Sequence, residues 1–477
     1  MQDKKLSVGV KVGYGVCDMG GNLFFTAMAF VFLFYLTDVV LIKPALAGVI
    51  VAVGKIWDAV TDPVVGYVSD RTETKLGRRR PYMLVGAFPL FVATIIMFTN
   101  PLLVFDKVSF LSPDVFAEGF DWSAAAWNPS EHQTLLLIWG IIFFCLLNLA
   151  YTLVNIPYNS LTPELTQDYH ERTSLNGFRF GFAVFGTLLG AAAAFPIIHA
   201  FVNENVGFLV LGTIFGVVMM ITALITVIAV REPERHGDKP TKGFFETYLK
   251  VFKNKPYLFI VFTYALHITA LSVVSGVAAY YFKYIHQNED IITIAMVILL
   301  VTAMLFIPVS VLLSKKIGKK PVYILGMGGF GLSILIIGLF GGRLPVNFSL
   351  VMMFFAGIGM GFTYAMPWAI VPDAVEYDYL VTGERTEGAF YGIWTFAIKI
   401  GQALALAISG LVLQISGYQA NIVPQPLESA NTGILLLMGA IPAFIFLLGI
   451  LVLSKYPINE ERYQEILADI EKMEKGA

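Results

Sequence analysis

Two carboxylates in an apolar stretch are the residues whose chemistry most needs an explanation. Asp58 and Asp62 lie four residues apart in GKIWDAVTDPVVGYVSD (54–70), so on a helix they project from one face. A carboxylate at the centre of a bilayer costs about 2.5–3.5 kcal/mol. Two of them in one segment therefore indicate an interior site for a cation, which oxygen ligands suit. The hydroxyls that can add neutral ligands are those of Thr61 and Thr152.

A nearby base leaves two interpretations open. Lys55 precedes Asp58 by three residues, so all three charges can form a buried ion cluster that joins helices. Two acids against one base leave one negative charge, which favours a cation or proton site. Lys399, in FAIKIGQALA, is a candidate counter-ion for the remaining charge. If it moves between the carboxylates and another partner, it can report cation occupancy to the solute site; the alternative is a static salt bridge.

Other polar side chains in apolar segments can bind a polar solute. Arg179, in LNGFRFGFAVFG, is a fixed donor for hydroxyls or an anionic group, although it can instead cap carbonyls or pair with Glu164. Asn22, Asn155 and Asn159 are amides suited to hydroxyl groups. Their alternative role is hydrogen bonding between helices, at about 1 kcal/mol each.

The composition of the chain predicts the helices that position these side chains. The 477 residues are 57% hydrophobic and 14% charged, with a mean hydropathy of +0.73, whereas a soluble domain carries roughly 25% charged residues. The apolar blocks have the length of membrane-spanning helices. We therefore predict an all-α membrane protein with spans at 12–38, 45–68, 82–104, 134–157, 175–202, 206–230, 256–285, 291–314, 320–341, 346–371, 387–416 and 432–454.

The distribution of basic residues predicts the topology. Most Lys and Arg residues lie in the N-terminus, in the connections after even-numbered segments and in the C-terminal tail. The positive-inside rule then places both termini in the cytoplasm of a cell-membrane protein. The predicted domains are an N-terminal bundle (1–230), a cytoplasmic linker (231–255), a C-terminal bundle (256–454) and a tail (455–477).

An internal repeat supports this division into six plus six helices. GYVSDRTETKLGRRRP matches SVLLSKKIGKKP, and TPELTQDYHERTSLNG matches VPDAVEYDYLVTGERTEG. Two pseudo-symmetric six-helix bundles imply a central cavity that holds the solute. Charged residues of these loops are expected to open and close access to it: Asp70, Arg71, Arg78, Glu164, Arg172, Asp373 and Arg385.

The whole chain resembles the glycoside–pentoside–hexuronide:cation symporter family of the major facilitator superfamily. The motifs that carry the resemblance are WDAVTDP (57–63), GYVSDRTETKLGRRRP (66–81), YTLVNIPYNSLTPELT (151–166), ERTSLNGFR (171–179), VPDAVEYD (371–378) and YGIWTFAIKIGQA (391–403). The resemblance implies the major facilitator fold. It also implies that Asp58 and Asp62 bind Na⁺, Li⁺ or H⁺, with Thr61, Thr152 and Lys399 as neighbours, and that Arg179 contacts sugar.

The chain departs from the galactoside-transporting branch of that family. Gly21 and Asn22 replace a Lys-Asp pair, and Asn155 and Asn159 replace an Asp and a Trp. Tyr364 stands where that branch has a Trp in the tenth helix. The resemblance therefore argues against melibiose and leaves pentosides, hexuronides, uronates or a sulfonated sugar.

Together these features predict a monomeric cation:sugar or cation:glycoside symporter without a resident cofactor. We expect solute near Asn22, Asn155, Asn159, Arg179, Tyr364, Trp394 and Thr395. The alternatives are a lysophospholipid carrier on the same fold and a membrane sensor that binds without transporting. An enzyme is the least expected class, because the sequence shows no nucleophile–base or metal pattern. The net charge of −2 indicates no nucleic-acid partner.

Overall fold

The computed structural model describes residues 6–101, 132–166, 169–232, 251–383 and 387–476. Two compact units divide the chain. Unit 1 comprises Met1–Gly237, Asn288–Ile294 and Leu406–Ala430, and unit 2 comprises Asp238–Gln287, Ala295–Ala405 and Asn431–Ala477. The predicted domains divide the chain at a single linker. In the structure, two segments from the second half of the sequence, Asn288–Ile294 and Leu406–Ala430, belong to unit 1.

The described part of the first half is helical throughout. Its helices are α1 (Val8–Phe30), α2 (Phe32–Phe34, continued by a π-helical turn at Tyr35–Val39), α3 (Pro44–Arg71), α4 (Arg80–Met97), α5 (Gln133–Leu165), α6 (Tyr169–His199) and α7 (Glu204–Ala229). Local signals fix their starts: the Ser7 side chain accepts from the Val10 N–H, Pro44 begins α3, and Asn203 caps α7.

The described part of the second half repeats this pattern. Its helices are α8 (Lys255–Tyr280, continued by a π-helical turn at Tyr281–Ile285), α9 (Ile291–Ile317), α10 (Lys319–Phe340), α11 (Val346–Thr382), α12 (Glu387–Ile415), α13 (Glu428–Met438), α14 (Ala440–Ser454) and α15 (Glu460–Gly476). Asn254 caps α8 by accepting from the Tyr257 N–H at 2.9 Å. No strand occurs among the described residues.

The predicted spans agree with these helices. Among the described residues, eleven helices or helix pairs have the length and hydropathy of a membrane span, and α1 with α2 makes a twelfth, bent by 51°. The prediction of an all-α, multi-pass membrane protein is thus confirmed. Several helices continue beyond their apolar core, α11 as far as Thr382, because polar side chains at a span's end keep helical backbone bonds while they reach water.

Close packing between helices holds unit 1 together. α1 packs on α6 and α7, α3 packs on α5, and α4 packs on α5 and α7. Gly186 of α6 lies directly against the backbone of Met19 in α1, where a Cβ would clash. Small residues permit such approach in membranes, where van der Waals contact rather than the hydrophobic effect drives helix association.

Unit 2 packs in the same way and adds a terminal helix. α8 and α10 pack on α11 and α14, and α15 contacts α11. The predicted tail therefore contains a helix, whose Ile466 and Ile470 are buried at i and i+4. Beside α15, the Lys319 Nζ lies 5.1 Å from the centroid of the Tyr463 ring.

Candidate functional site

Two helices of unit 1 bring the predicted cation ligands together. Asp58 and Asp62 project from α3, and the Thr152 hydroxyl of α5 lies 2.9 Å from Asp58 Oδ1 and 3.0 Å from Asp62 Oδ1. Asp58 is only 4% exposed and Asp62 is half-buried. α3 and α5 approach closely because Gly54 leaves room for the Phe144 ring. Three oxygens from two helices thus converge on one point.

The chemistry of this cluster suits a cation. A hydroxyl carries one proton, so Thr152 donates to one carboxylate at a time. A cation among the oxygens would be coordinated by the hydroxyl lone pair and by both carboxylates, which fits a hard ion. Thr61 contributes less directly, since its hydroxyl donates to the Asp58 carbonyl at 3.3 Å. We name Asp58, Asp62 and Thr152 the oxygen cluster.

Lys55 is the basic neighbour that the sequence places near this face. Its side chain is 5% exposed, and its Nζ lies 5.6 Å from the centroid of the Phe25 ring on α1. An ammonium near an aromatic face is stabilised by the ring quadrupole. Lys55 thus lies beside an aromatic ring of α1, whereas the oxygen cluster itself consists of two carboxylates and one hydroxyl.

The second polar centre of unit 1 surrounds Arg179. The Arg179 Nε donates to Asp18 Oδ2 at 2.7 Å, and its Nη1 donates to the Thr162 hydroxyl at 2.9 Å. Tyr158 donates its hydroxyl proton to Asp18 Oδ2 at 2.6 Å. The guanidinium also lies 4.8 Å from the centroid of the Tyr158 ring. Helices α1, α5 and α6 are joined here by charge-assisted hydrogen bonds.

A chain of amides extends this centre along α5. The Arg179 Nη2 donates to Asn159 Oδ1 at 2.6 Å, Asn159 Nδ2 donates to Asn155 Oδ1 at 2.7 Å, and Asn155 Nδ2 donates to the Tyr151 hydroxyl at 2.8 Å. Tyr151 immediately precedes Thr152 of the oxygen cluster. We name Asp18, Arg179, Asn159, Asn155 and Tyr151 the polar relay, which runs from the arginine towards the oxygen cluster.

Asp18 changes how Arg179 is interpreted. The predicted site residues did not include this carboxylate, although Asp18 lies in the apolar segment 12–38 and carries the same energetic cost there as Asp58 does in its own segment. Asp18 balances the charge of Arg179, so the arginine alone gives this region no net preference for anions. Asn22 lies outside the relay: its Nδ2 donates to the Asp18 carbonyl at 2.8 Å within α1.

Trp394, one of the predicted solute residues of unit 2, lies in an aromatic cluster. Trp394 stacks on Tyr264 with centroids 4.1 Å apart and an interplanar angle of 8°, and Trp368 meets Trp394 edge-on at 5.7 Å. Trp394 is fully buried, and among the described residues its indole N–H has no hydrogen-bond partner. Trp368, which is 48% exposed, was missed from the sequence although it follows Tyr364 by one helical turn.

The other predicted residues of unit 2 lie nearby along α11 and α12. Tyr364 is 51% exposed. The hydroxyl of Thr395 donates to the Tyr391 carbonyl at 3.0 Å, within its own helix. Lys399 is half-buried on α12, one helical turn beyond Thr395. Trp368 stacks on Tyr391 with centroids 6.5 Å apart, so the accessible aromatic face of this cluster belongs to those two residues.

The α3–α4 connection is organised by a residue that the sequence did not indicate. Glu232, just beyond α7, accepts from the backbone N–H groups of Arg78, Arg79 and Arg80 at 2.7, 2.9 and 2.8 Å. Its carboxylate thus caps the N-terminus of α4, where negative charge is favourable. Gly77 has φ +104, and a Cβ there would lie 2.6 Å from the Glu232 Cδ. Both backbone and space require glycine at this turn.

This cap predicts a stability difference between two glycine variants. Gly77→Ala introduces both an unfavourable positive φ and a clash with Glu232, whereas Gly383→Ala introduces a positive φ (+69) into open space. We expect Gly383→Ala to lower the free energy of unfolding by about 1–2 kcal/mol and Gly77→Ala to lower it by clearly more. Thermal unfolding of the purified proteins measures both. Equal losses would show that the Glu232 cap is not formed.

The remaining predicted gating residues have different outcomes. Arg71 packs over the Tyr67 ring, with its Cζ 3.5 Å from the centroid. Asp373 is buried and accepts from the Lys319 Nζ at 2.7 and 2.8 Å, which joins α11 to α10. The side chains of four predicted gating residues lie outside the described part of the chain: Asp70, Glu164, Arg172 and Arg385.

A further intramembrane carboxylate was also missed. Asp38 is 2% exposed at the end of α2, where its Oδ2 accepts from the Thr37 hydroxyl at 2.6 Å and its Oδ1 accepts from the Tyr418 hydroxyl at 2.7 Å. Asn421 Nδ2 donates to the Asp38 carbonyl at 2.6 Å. These bonds attach the segment after α12 to the first half of the sequence within unit 1.

Comparison with known proteins agrees with the helical architecture. The sequence profile of the family described as MFS/sugar transport protein matches residues 13–113 and 119–460. The chain belongs to this family. The matched residues span both halves of the chain and include every helix that carries a candidate site residue.

Individual relatives cover nearly the whole chain. The "Uncharacterized symporter YnaJ" of Bacillus subtilis is 30% identical over 99% of this chain and 96% of the relative. The "Glucuronide carrier protein homolog" of Escherichia coli is 26% identical over 99% and 97%. The "Sodium-dependent lysophosphatidylcholine symporter 1-A" of Danio rerio is 26% identical over 97% and 88%.

The fold is shared with solved transporters. The xylose transporter XylE from E. coli, solved in an inward-open conformation, superimposes with a TM-score of 0.60 at 15% identity, over 96% of this chain and 97% of that chain. The predicted major facilitator fold is thereby confirmed.

Proposed function

We propose that this protein is a cation-coupled symporter for a sugar or glycoside that works by alternating access. The oxygen cluster carries the proposal: two carboxylates and one hydroxyl converge inside an apolar bundle, and Thr152 lies 2.9 and 3.0 Å from the two carboxylates. The cost of keeping both charges there is offset when a travelling Na⁺ or H⁺ neutralises them. The relatives named as symporters support the same function.

Each unit is proposed to supply groups of its own for the solute, polar in unit 1 and aromatic in unit 2. Asn155 and Asn159 of the polar relay have donors and acceptors for sugar hydroxyls. Trp368 and Tyr391 offer an exposed aromatic face for the apolar side of a sugar ring. The relative named as a glucuronide carrier favours a hexuronide among the sugars.

The polar relay is proposed to couple the two binding events. It joins Arg179 to Tyr151, and the next residue along α5 is Thr152 of the oxygen cluster. A solute that rearranges Asn155 and Asn159 would thus change the position of the Thr152 hydroxyl. Coupling of this kind is reciprocal, because a cation that raises solute affinity must itself be bound more tightly when solute is present.

We also propose a membrane topology for the chain. Both termini are assigned to the cytoplasm of a cell membrane, on the distribution of Lys and Arg between the connections. Arg78, Arg79, Arg80 and Lys319 then lie on the cytoplasmic side, where the Glu232 cap and the Lys319–Asp373 ion pair stabilise the helix ends. The protein is proposed to act as a monomer.

A second candidate function is transport of a lysophospholipid. An apolar groove on α6 favours it, since Gly177 and Gly181 leave open space. The residues that line the groove are Ser174, Gly177, Phe178, Gly181, Phe182 and Phe185. An acyl chain fits such a surface, and the relative named as a lysophosphatidylcholine symporter is similar over 97% of this chain.

Uptake into proteoliposomes tests the two functions against each other. The panel contains a methyl pentoside, a methyl glucuronide, a sulfonated hexose, melibiose and lysophosphatidylcholine, with sodium and pH gradients imposed separately. The proposal predicts gradient-driven accumulation of a pentoside or an acidic sugar. Accumulation of lysophosphatidylcholine alone supports the second candidate, and binding without accumulation of any solute overturns both.

A further inference from the structure

Three metal-ligating side chains meet in unit 1, away from the oxygen cluster. His199 ends α6, Glu204 begins α7, and Glu289 lies in the connection between α8 and α9. The His199 Nε2 lies 3.1 Å from Glu289 Oε2, and one ligand atom from each of the three residues lies within 4.8 Å of the others. Two helix ends and one connection thus present an imidazole and two carboxylates to one point.

The spacing of these atoms suits a transition metal. Zinc binds imidazole nitrogen and carboxylate oxygen at about 2.0–2.2 Å, so ligand atoms in a tetrahedral site lie about 3.3–3.5 Å apart. The His199–Glu289 distance of 3.1 Å is already close to this value, and a Glu204 carboxylate oxygen lies within 4.8 Å of both ligand atoms. Mixed imidazole and carboxylate ligands suit Zn²⁺ better than Mg²⁺ or Ca²⁺, which take oxygen ligands alone.

Charge and accessibility favour the same ligand. Glu204, Glu289 and Asp290 all act electrostatically on His199, so even a protonated imidazole leaves the cluster negative. The side chains of His199 and Glu289 are 26% and 28% exposed, which leaves a path for an ion and a place for water as the fourth ligand. Phe195 packs against the His199 ring at 5.8 Å and restricts its orientation.

We propose that His199, Glu204 and Glu289 form a binding site for Zn²⁺ or a chemically similar divalent transition metal. His199 and Glu204 belong to the first half of the sequence and Glu289 to the second half. A metal at this point fixes the α6–α7 connection to the α8–α9 connection. Because alternating access requires connections of the two halves to separate, which rests on the proposed function, bound metal is expected to inhibit transport.

Direct binding tests the site without any transported solute. Full-length protein in detergent is titrated with Zn²⁺ by calorimetry. We expect one equivalent to bind, with at least about 10-fold weaker binding in His199→Ala and Glu289→Gln, a loss that even outer-shell changes produce. The matched controls are His132→Ala and Glu428→Gln, which remove the same side chains elsewhere in unit 1 and are expected to bind normally.

Further measurements separate loss of the metal site from loss of folding and test whether bound metal inhibits transport. Thermal unfolding without metal shows whether each variant is folded, and His199→Cys, which keeps a zinc ligand, is expected to restore binding. Zinc that binds the wild type and His199→Ala equally well would overturn the site. In the uptake assay, external Zn²⁺ is expected to inhibit the wild type and to spare His199→Ala. Binding without inhibition would overturn the inhibitory role and leave the site itself supported.

Discussion

Proteoliposomes that contain the Asp58→Asn or Asp62→Asn variant will equilibrate the solute but will no longer concentrate it. A membrane potential of 100 mV contributes about 2.3 kcal/mol per charge carried, which corresponds to roughly 50-fold accumulation by the wild type. An asparagine side chain keeps the volume and can still accept from Thr152, but it removes the charge that the travelling ion neutralises. Radiolabelled uptake under a sodium or pH gradient measures the difference.

Matched substitutions separate the ion site from general damage. Thr152→Ser keeps the hydroxyl that lies 2.9 and 3.0 Å from the carboxylates, whereas Thr152→Val removes it at similar volume. We expect accumulation to survive in the serine variant and to fall in the valine variant. Solute exchange without a gradient should continue in the carboxylate variants, because exchange does not require net cation movement. Equal accumulation by Thr152→Val and the wild type would exclude the hydroxyl from the ion site.

The second large effect is expected on stability, from the ion pair between Asp18 and Arg179. Their side chains are only 14% and 18% exposed, so removal of one partner leaves a largely buried charge. Breaking such a pair costs about 3–5 kcal/mol. We therefore expect Asp18→Asn and Arg179→Gln to unfold at clearly lower temperature than the wild type, and to lose solute uptake because the polar relay begins at this pair.

The double variant provides the control. Asp18→Asn combined with Arg179→Gln leaves no unpaired charge, so it is expected to recover much of the stability that either single variant loses. Tyr158→Phe removes only the hydroxyl that donates to Asp18 at 2.6 Å and should cost about 1.5–3 kcal/mol, the range for a hydrogen bond to a charged group. Additive losses in the double variant would mean that the two charges do not stabilise each other.

The sequence predicted the spans and the oxygen cluster for simple physical reasons. A span requires a long apolar helix, and that pattern is local. Asp58 and Asp62 lie four residues apart on one helix, so their proximity is also local. Thr152 was named for its hydroxyl and again through the family resemblance, but nothing in the pattern of α5 alone places it beside α3.

Partners from distant parts of the chain escaped prediction. Asp18 and Arg179 are 161 residues apart, and Glu232 caps α4 from beyond α7. Such pairs depend on how helices pack, which hydropathy does not encode. Asp18 and Asp38 nevertheless carried a usable signal, because a carboxylate inside an apolar segment requires a partner wherever it occurs.

Solute-stimulated entry of the coupling ion shows whether the oxygen cluster carries the ion that moves with the solute. Proteoliposomes are given radioactive sodium, or a pH-sensitive dye inside, and the solute identified in the uptake panel is then added. We predict that solute accelerates ion entry in the wild type and has no effect in the Asp58→Asn/Asp62→Asn double variant. Undiminished solute-stimulated ion entry in that double variant would contradict the assignment of the oxygen cluster.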